Sequence, residues 1–335
     1  MTRMDIQKIA QMAQVSRSTV SRVVNNQPDV HPEVRQRVLQ IIRETGYQPN
    51  SAARSLRNKQ SDILGLVICN TVGGLFTDPY FPQLTQGIAQ SCNHYNKTLS
   101  LFLEGDPETI YPRLTRRGQL DGILLQVGNT DDTLVKKLMK TDIPFIVLGR
   151  PMQSGVSYID VDNVSGGYLA TLHLIRLKRQ RIGAIHCSLL TTTGLDRKEG
   201  YLKALHERNI PIREELTAEG DYSEPSGYRA MLQILPHHPD AVFVGNDMMA
   251  RGAIRAIQEA GLSVPNDIAV VGFDDLPPAV SASPLLTTIR QPISRLGACA
   301  VDILLDMIEH GPQPPQRVMM DVELVVRESS GERIA

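Results

Sequence analysis

The chain lacks the signatures that would place it among metalloproteins, membrane proteins or the common enzyme classes. Its four cysteines, Cys69, Cys92, Cys187 and Cys299, are scattered without CxxC or other metal-ligand spacing. Reduced, buried thiols are therefore expected, with no metal and no disulfide framework. No GxGxxG follows an apolar run, and neither GxxxxGK[ST] nor GxSxG occurs. Dinucleotide binding, a phosphate-gripping loop and a serine elbow thus have no sequence support, and neither a cofactor nor a catalytic constellation is expected. The pair His237-His238 lies between two prolines and reads as loop. Apolar residues make up 41% of the chain, yet no run approaches the roughly 20 residues of a membrane helix. Residues 1–14 alternate polar and apolar side chains and lack the apolar core of a signal peptide. A cytoplasmic location is expected.

What is present is uneven. At 335 residues the chain exceeds the about 100–200 residues of one domain. The whole carries 35 Lys/Arg and 36 Asp/Glu, but residues 1–60 hold ten basic residues against four acids. A small basic module joined to an acidic body suits contact with a polyanion.

The basic module has helix punctuation. Asp5 can cap a helix whose apolar positions Ile6, Ile9, Ala10 and Ala13 follow i, i+3, i+4, i+7 spacing. After a tight turn at Gln14-Val15, Ser16 can cap a second helix over 17–24 that turns Val20, Val23 and Val24 inward. A third helix opens at Pro32, buries Val34, Val38 and Ile41, and stops at Gly46. This is the layout of a helix-turn-helix, whose second helix enters the DNA major groove. A protein-binding three-helix bundle would share the pattern. The exposed face of the second helix argues against it, because Ser16, Arg17, Ser18, Thr19, Ser21 and Arg22 can bond bases or phosphates and no acid stands among them.

Residues 50–56, from Asn50 to Leu56, could form about two helical turns capped by Asn50. A helix that short is marginal alone in water, so it should order only when something packs on it. Beyond 61 the chain alternates apolar runs with amphipathic stretches. Strands are expected over 63–69, 98–103, 122–127, 145–148, 182–186, 241–244 and 268–272. Helices are expected over 83–95, 133–140, 165–175, 198–208 and 248–260, with a last one over 292–308. Repeated βα units imply parallel sheets covered on both faces. Their total length points to two doubly wound subdomains with a ligand cleft at the strand carboxyl ends.

The run from Ile9-Ala10-Gln11-Met12-Ala13 through Val15-Ser16-Arg17-Ser18-Thr19-Val20-Ser21-Arg22-Val23-Val24-Asn25 closely resembles the N-terminal signature of LacI/GalR-type bacterial regulators. Gly46-Tyr47-Gln48-Pro49-Asn50 and Ala53-Arg54-Ser55-Leu56 resemble its continuation. Gln14 departs from it, standing where the family usually has glycine. Further on, Asp78-Pro79-Tyr80-Phe81, Asp121-Gly122-Ile123-Leu124, Asp196-Arg197-Lys198-Glu199-Gly200-Tyr201, Gly245-Asn246-Asp247 and Gly272-Phe273-Asp274-Asp275 extend the resemblance over essentially the whole chain.

The resemblance implies a helix-turn-helix domain at 1–49, a hinge helix and linker at 50–60 and a periplasmic-binding-protein-like effector and dimerisation body at 61–335. It divides the body into an N-subdomain (about 61–162 and 292–322) and a C-subdomain (about 163–291 and 323–335), with crossings near 162, 291 and 323. Asn25, Asn50, Ala53 and Arg54 join the DNA-binding set, and Leu56 becomes a minor-groove wedge at the centre of a near-palindromic operator. Arg197, Asn246 and Asp274 match effector-bonding positions, and Tyr222, Tyr80 and Phe81 match aromatic ones. Gln126 is a further candidate to face the ligand.

The function implied is a sequence-specific regulator, a repressor, controlled by a small molecule in the cleft. A carbohydrate fits hydroxyl-bonding residues beside Tyr222; a purine corepressor is the alternative, since Tyr80 and Phe81 also suit a flat base. A sugar-acting enzyme, a transport binding protein and an architectural DNA protein are remoter rivals. The tail 328–335 is too short for coiled-coil heptads, so a homodimer is expected.

Overall fold

The computed structural model describes residues 4–24, 27–47, 61–69, 77–103, 106–116, 118–126 and 130–331. Five of the expected DNA contacts, Asn25, Asn50, Ala53, Arg54 and Leu56, and the hinge segment 50–60 lie outside the described residues. The chain divides into two units, Met1–Ser61 and Asp62–Ala335.

In the first unit, α1 (Ile6–Met12), α2 (Arg17–Val24) and α3 (Pro32–Thr45) surround a small core. Ile9, Ala10, Ala13, Val20, Val23, Val38 and Tyr47 fill it. Each boundary has a local cause. Asp5 Oδ1 accepts the Gln7 and Lys8 amides, both at 2.9 Å, and Ser16 Oγ accepts the Thr19 amide at 3.0 Å. Pro32 occupies the first turn of α3, and Gly46 ends it at φ 62°, a left-handed conformation that costs glycine little. Between α1 and α2, Gln14 has φ 51°. This explains why glycine suits that turn and marks Gln14 as a mildly strained substitute. Arg37 Nε ties α3 to the turn by donating to the Ala13 carbonyl at 3.0 Å.

The second unit contains two sheets. The first lobe uses β1 (Ile63–Ile68), β2 (Thr98–Leu103), β3 (Gly122–Gln126), β4 (Phe145–Leu148), β5 (Tyr158–Val161) and β11 (Arg317–Met320), with helices α4 (Tyr80–His94), α5 (Pro107–Leu114), α6 (Thr133–Leu138) and α12 (Ile293–His310). The second lobe uses β6 (Ile182–His186), β7 (Thr217–Glu219), β8 (Ala241–Val244), β9 (Ala269–Asp274), β10 (Thr287–Arg290) and β12 (Glu323–Val325). Its helices are α7 (Asn163–Arg176), α8 (Thr192–Glu207), α9 (Glu224–Ile234), α10 (Asp247–Glu259) and α11 (Pro277–Ser281). The strand orders are β11-β5-β4-β3-β1-β2 and β12-β10-β9-β8-β6-β7. All pairs are parallel except β10 with β12. The central strands are near-continuous apolar runs, as burial on both faces demands.

The chain passes between sheets three times, between β5 and α7, between β10 and α12, and between β11 and β12. In each sheet the strand order reverses beside the first strand of the lobe, between β1 and β3 and between β6 and β8. Crevices at such reversals hold ligands beyond the strand carboxyl ends, and here the two crevices face one another across a cleft.

Several boundaries differ from the sequence expectation. Helix α8 begins at Thr192 rather than 198 and α4 at Tyr80 rather than 83, while β9 runs to Asp274 instead of 272. The early start of α8 puts Gly194 inside a helix, where a Cβ would lie 2.2 Å from the Ser188 carbonyl oxygen. That glycine permits close packing, although its propensity argues against helix. Among the described residues no helix is long and apolar enough to cross a membrane.

Candidate functional site

A cavity of about 980 Å³ separates the lobes, at the upper end of the range for small-molecule sites. Ile68, Cys69 and Gln126 reach it from the ends of β1 and β3, and Ser188 and Thr191 from the loop after β6. Six of the seven expected effector residues line it: Tyr80, Phe81, Gln126, Arg197, Tyr222 and Asp274.

Asn246 is not among the lining residues. It is the N-cap of α10, its Oδ1 accepting the Met249 amide at 2.9 Å. Its Nδ2 donates to the Tyr222 carbonyl at 3.0 Å, so each polar atom has a protein partner. Asn246 seats the turn that holds Tyr222 at φ 70°. Tyr222 itself is fixed by a 2.8 Å hydrogen bond between its hydroxyl and Thr191 Oγ1. Tyr80 and Phe81 meet edge to face, with centroids 5.5 Å apart and planes at 82°.

Arg197 is the electrostatic centre of the cavity. The guanidinium carbon lies over Phe273, 3.6 Å from the ring centroid. Its Nε donates to Asn163 Oδ1 at 2.9 Å, its Nη1 to the Gly245 carbonyl, and its Nη2 lies 3.4 Å from Asp274 Oδ1. Asn163 Nδ2 in turn donates to Asp160 Oδ1 at 3.2 Å. Gln291 Nε2 donates to Asp274 Oδ1. Asp160 and Asn163 belong to the first crossing between lobes and Gln291 to the second, so Arg197 and Asp274 are wired to both. A ligand that moves either residue therefore acts directly on the lobe-to-lobe joints.

Burial raises the carboxyl groups here. Asp274 is pushed up to about 7, with Arg197 opposing the rise and Asp78 adding to it. Asp160 is pushed up to about 6 by burial, against the Val161 and Arg150 amides that hydrogen-bond it. Asp247, below the cavity, is raised well above the carboxylate range by burial and then by Asp274.

The lobes are also latched at the rim. Arg150, just after β4, donates from Nε to Asp196 Oδ2 at 3.0 Å and from Nη2 to Oδ1 across the cleft. The Arg150 carbonyl accepts Thr192 Oγ1 at 2.6 Å, and its amide donates to Asp160 Oδ2 at 2.9 Å. The Arg150 side chain is 35% exposed and that of Asp196 only 9%. Solvent screening limits the pair to about 1 kcal/mol, and a bidentate fork is the favourable case. Arg150→Ala is expected to speed ligand release about three- to tenfold in stopped-flow measurements. Adding Asp196→Ala should cost less than the sum of the single changes, and additive effects would show that the two side chains do not cooperate.

The residues that sequence reading missed are Arg150, Asp160, Asn163, Gln291 and Asp78. Asp160 alone carried a local signal, a single acid inside the apolar strand β5.

In the first unit, Ser16, Arg17, Ser18 and Arg22 are exposed, with Thr19 and Ser21 half-buried. Ser16 Oγ lies 2.6 Å from Ser18 Oγ and 2.8 Å from Thr19 Oγ1, so part of the hydroxyl row is spent on capping. Arg22 Nη1 sits 3.4 Å from Asp29 Oδ2.

Comparison with known proteins agrees with both units. Residues 5–50 match the family described as bacterial regulatory proteins, lacI family, and residues 171–330 match the periplasmic binding protein-like domain. The chain is 38% identical to the HTH-type transcriptional repressor PurR of Yersinia pestis (strain Pestoides F), over 97% of this chain and 96% of that one. The structure of the lac repressor dimer bound to operator and the anti-inducer ONPF superposes with a TM-score of 0.87 at 28% identity, covering 98% of this chain and 99% of that one. A complex of the transcriptional regulator CelR with cellobiose gives 0.78 at 32% identity, covering 98% and 100%.

Proposed function

This chain belongs to the lacI family of bacterial regulatory proteins, and from that premise we propose that it is a homodimeric repressor whose hold on a near-palindromic operator is set by a sugar bound between the lobes. The carrying observation is the coupling of Arg197 and Asp274 to both lobe crossings. A molecule seated on these two side chains shifts the lobe arrangement, and a shift in paired bodies alters the spacing of whatever joins them to DNA. In this reading residues 50–60 form paired hinge helices, with Asn50, Ala53 and Arg54 among the DNA contacts and Leu56 wedged into the central base step. Asn25 follows the recognition helix and adds a further DNA contact. The site is built to bind and signal, not to turn a substrate over, and the protein acts where the DNA is, in the cytoplasm.

A sugar fits better than a purine. Tyr80 and Phe81 stand perpendicular and so do not form a parallel slot for a flat base, whereas Asp274 and Arg197 offer the hydroxyl partners a sugar needs. The CelR relative is solved with cellobiose.

The test is selection of binding sites from random duplexes, followed by anisotropy at one salt concentration with sugars and nucleobases added. Two-fold symmetric half-sites about one helical turn apart are expected, with binding changed by a sugar. Selected sites without symmetry would rule out the dimer, and a response confined to nucleobases would replace the sugar.

A further inference from the structure

The charge balance of the cavity narrows the class of its ligand. Asp78, Asp160, Asp221, Glu224 and Asp274 line it against a single basic side chain, Arg197, among the described residues. The two undescribed stretches that follow β1 and β3, residues 70–76 and 127–129, contain no ionisable residue in the sequence. Glu224 is drawn off by Arg251 and Arg255, and Asp221 by the Ser223 amide and hydroxyl. Asp160 is likewise held by the Val161 and Arg150 amides and by Asn163 Nδ2, which leaves Asp78 and Asp274 beside one guanidinium.

Arg197 has little attraction left to offer an anion. Its charge is set against Asp274, and what remains for a ligand is the second N–H of Nη1 and of Nη2, which suits a neutral hydroxyl. An incoming phosphate or carboxylate would exchange full hydration for a site where, of the two carboxyl groups, the one without an ion-pair partner among the described residues is Asp78, and desolvated like charges repel strongly. Burial lifts Asp274, and Asp78 adds to that rise. Hydrogen-bonding capacity points the same way. Asp274 engages its protein partners through Oδ1, and Asp78 uses Oδ1 to accept the Tyr80 amide at 3.0 Å. The second oxygen of each is an acceptor that wants a donor.

We infer that the effector is a donor-rich molecule without negative charge, a neutral polyol or its amine-bearing counterpart, and that Asp78 at the mouth of α4 sets this selectivity against phosphorylated or acidic forms of the same molecule. This rests on the cleft being the effector site.

The experiment uses the full chain and matched probes in calorimetry: glucose, glucosamine, glucose 6-phosphate and glucuronate; ribose and ribose 5-phosphate; cellobiose; adenosine and its 5′-monophosphate. In at least one set the neutral or amine member should bind, with its anionic counterpart at least tenfold weaker. Asp78→Asn, which keeps the acceptor for the Tyr80 amide, should narrow that gap severalfold, and Asp78→Ser serves the same purpose should the first variant fold poorly. An anionic member binding as tightly as its neutral partner overturns the inference while leaving the cleft as effector site. A gap unchanged in the Asp78 variants overturns the role of Asp78. If no member binds, the effector reading itself fails and the inference falls with it.

Discussion

Replacing Arg197 by leucine is expected to abolish the effector response while leaving effector-free operator binding intact. The side chain is buried and stacked on Phe273, with Asp274, Asn163 and the Gly245 carbonyl on its nitrogens. Removing one partner of a buried ion pair costs the fold about 3–5 kcal/mol, because the other is left uncompensated. The ligand separately loses the guanidinium donors, and hydrogen bonds to a charged group are worth about 1.5–3 kcal/mol each, so at about 1.4 kcal/mol per tenfold affinity should fall about tenfold or more. Asp274, which Arg197 holds down against burial, would be pushed further up. Arg197→Lys should not restore the response, since an ammonium cannot reproduce the planar fork or the stacking. Anisotropy on a selected operator, titrated with ligand, reads the loss directly, and a thermal melt checks folding. Release from the operator at the ligand concentration that suffices for the unaltered chain would remove Arg197 from the mechanism.

How much of this could be read from sequence divides by range. The helix-turn-helix was legible down to its caps, because Asp5, Ser16, Pro32 and Gly46 act within four residues of their own positions. Strands β1 to β4, β6, β8 and β9 were legible as apolar runs. The others were not: β7 and β12 are three residues long, β5 and β10 four, and β11 alternates exposed and half-buried positions. Helix α5 hid behind Pro112, inside it, and α9 behind Pro225 in its first turn.

The cleft shows the same division. Arg197, Tyr222 and Asp274 were legible through resemblance, and they do line the cavity. Asn246 shared that signal, yet one amide group serves as helix cap and turn anchor at once. That dual use depends on Tyr222 lying 24 positions away and has no local trace. Arg150 and Asp196 are 46 positions apart, and only the closed arrangement of two lobes makes them partners. Pairings of this kind appear only when the tertiary fold is in hand.

At the other end of the chain, Arg22→Ala should cost the selected operator about 1–3 kcal/mol, a loss of roughly five- to 150-fold at about 1.4 kcal/mol per tenfold. The residue lies on the open face of α2, and its ion pair with Asp29 is a surface contact, the two side chains being 51% and 56% exposed. Such pairs contribute at most about 1 kcal/mol, so the guanidinium can leave Asp29 at small cost for the O6 and N7 edge of a guanine, which it can grip with two hydrogen bonds. Arg17 is the other exposed arginine of the same helix, and we propose it as a phosphate contact. The two variants should therefore part company. Arg17→Ala should weaken operator and random duplexes alike and lower the slope of log affinity against log salt by about one. Arg22→Ala should fall mainly on the operator and relax its preference at one base pair. Equal losses on both duplexes for Arg22→Ala, at every salt concentration, would move Arg22 from base reading to backbone contact and leave sequence discrimination to Ser18, Thr19 and Ser21.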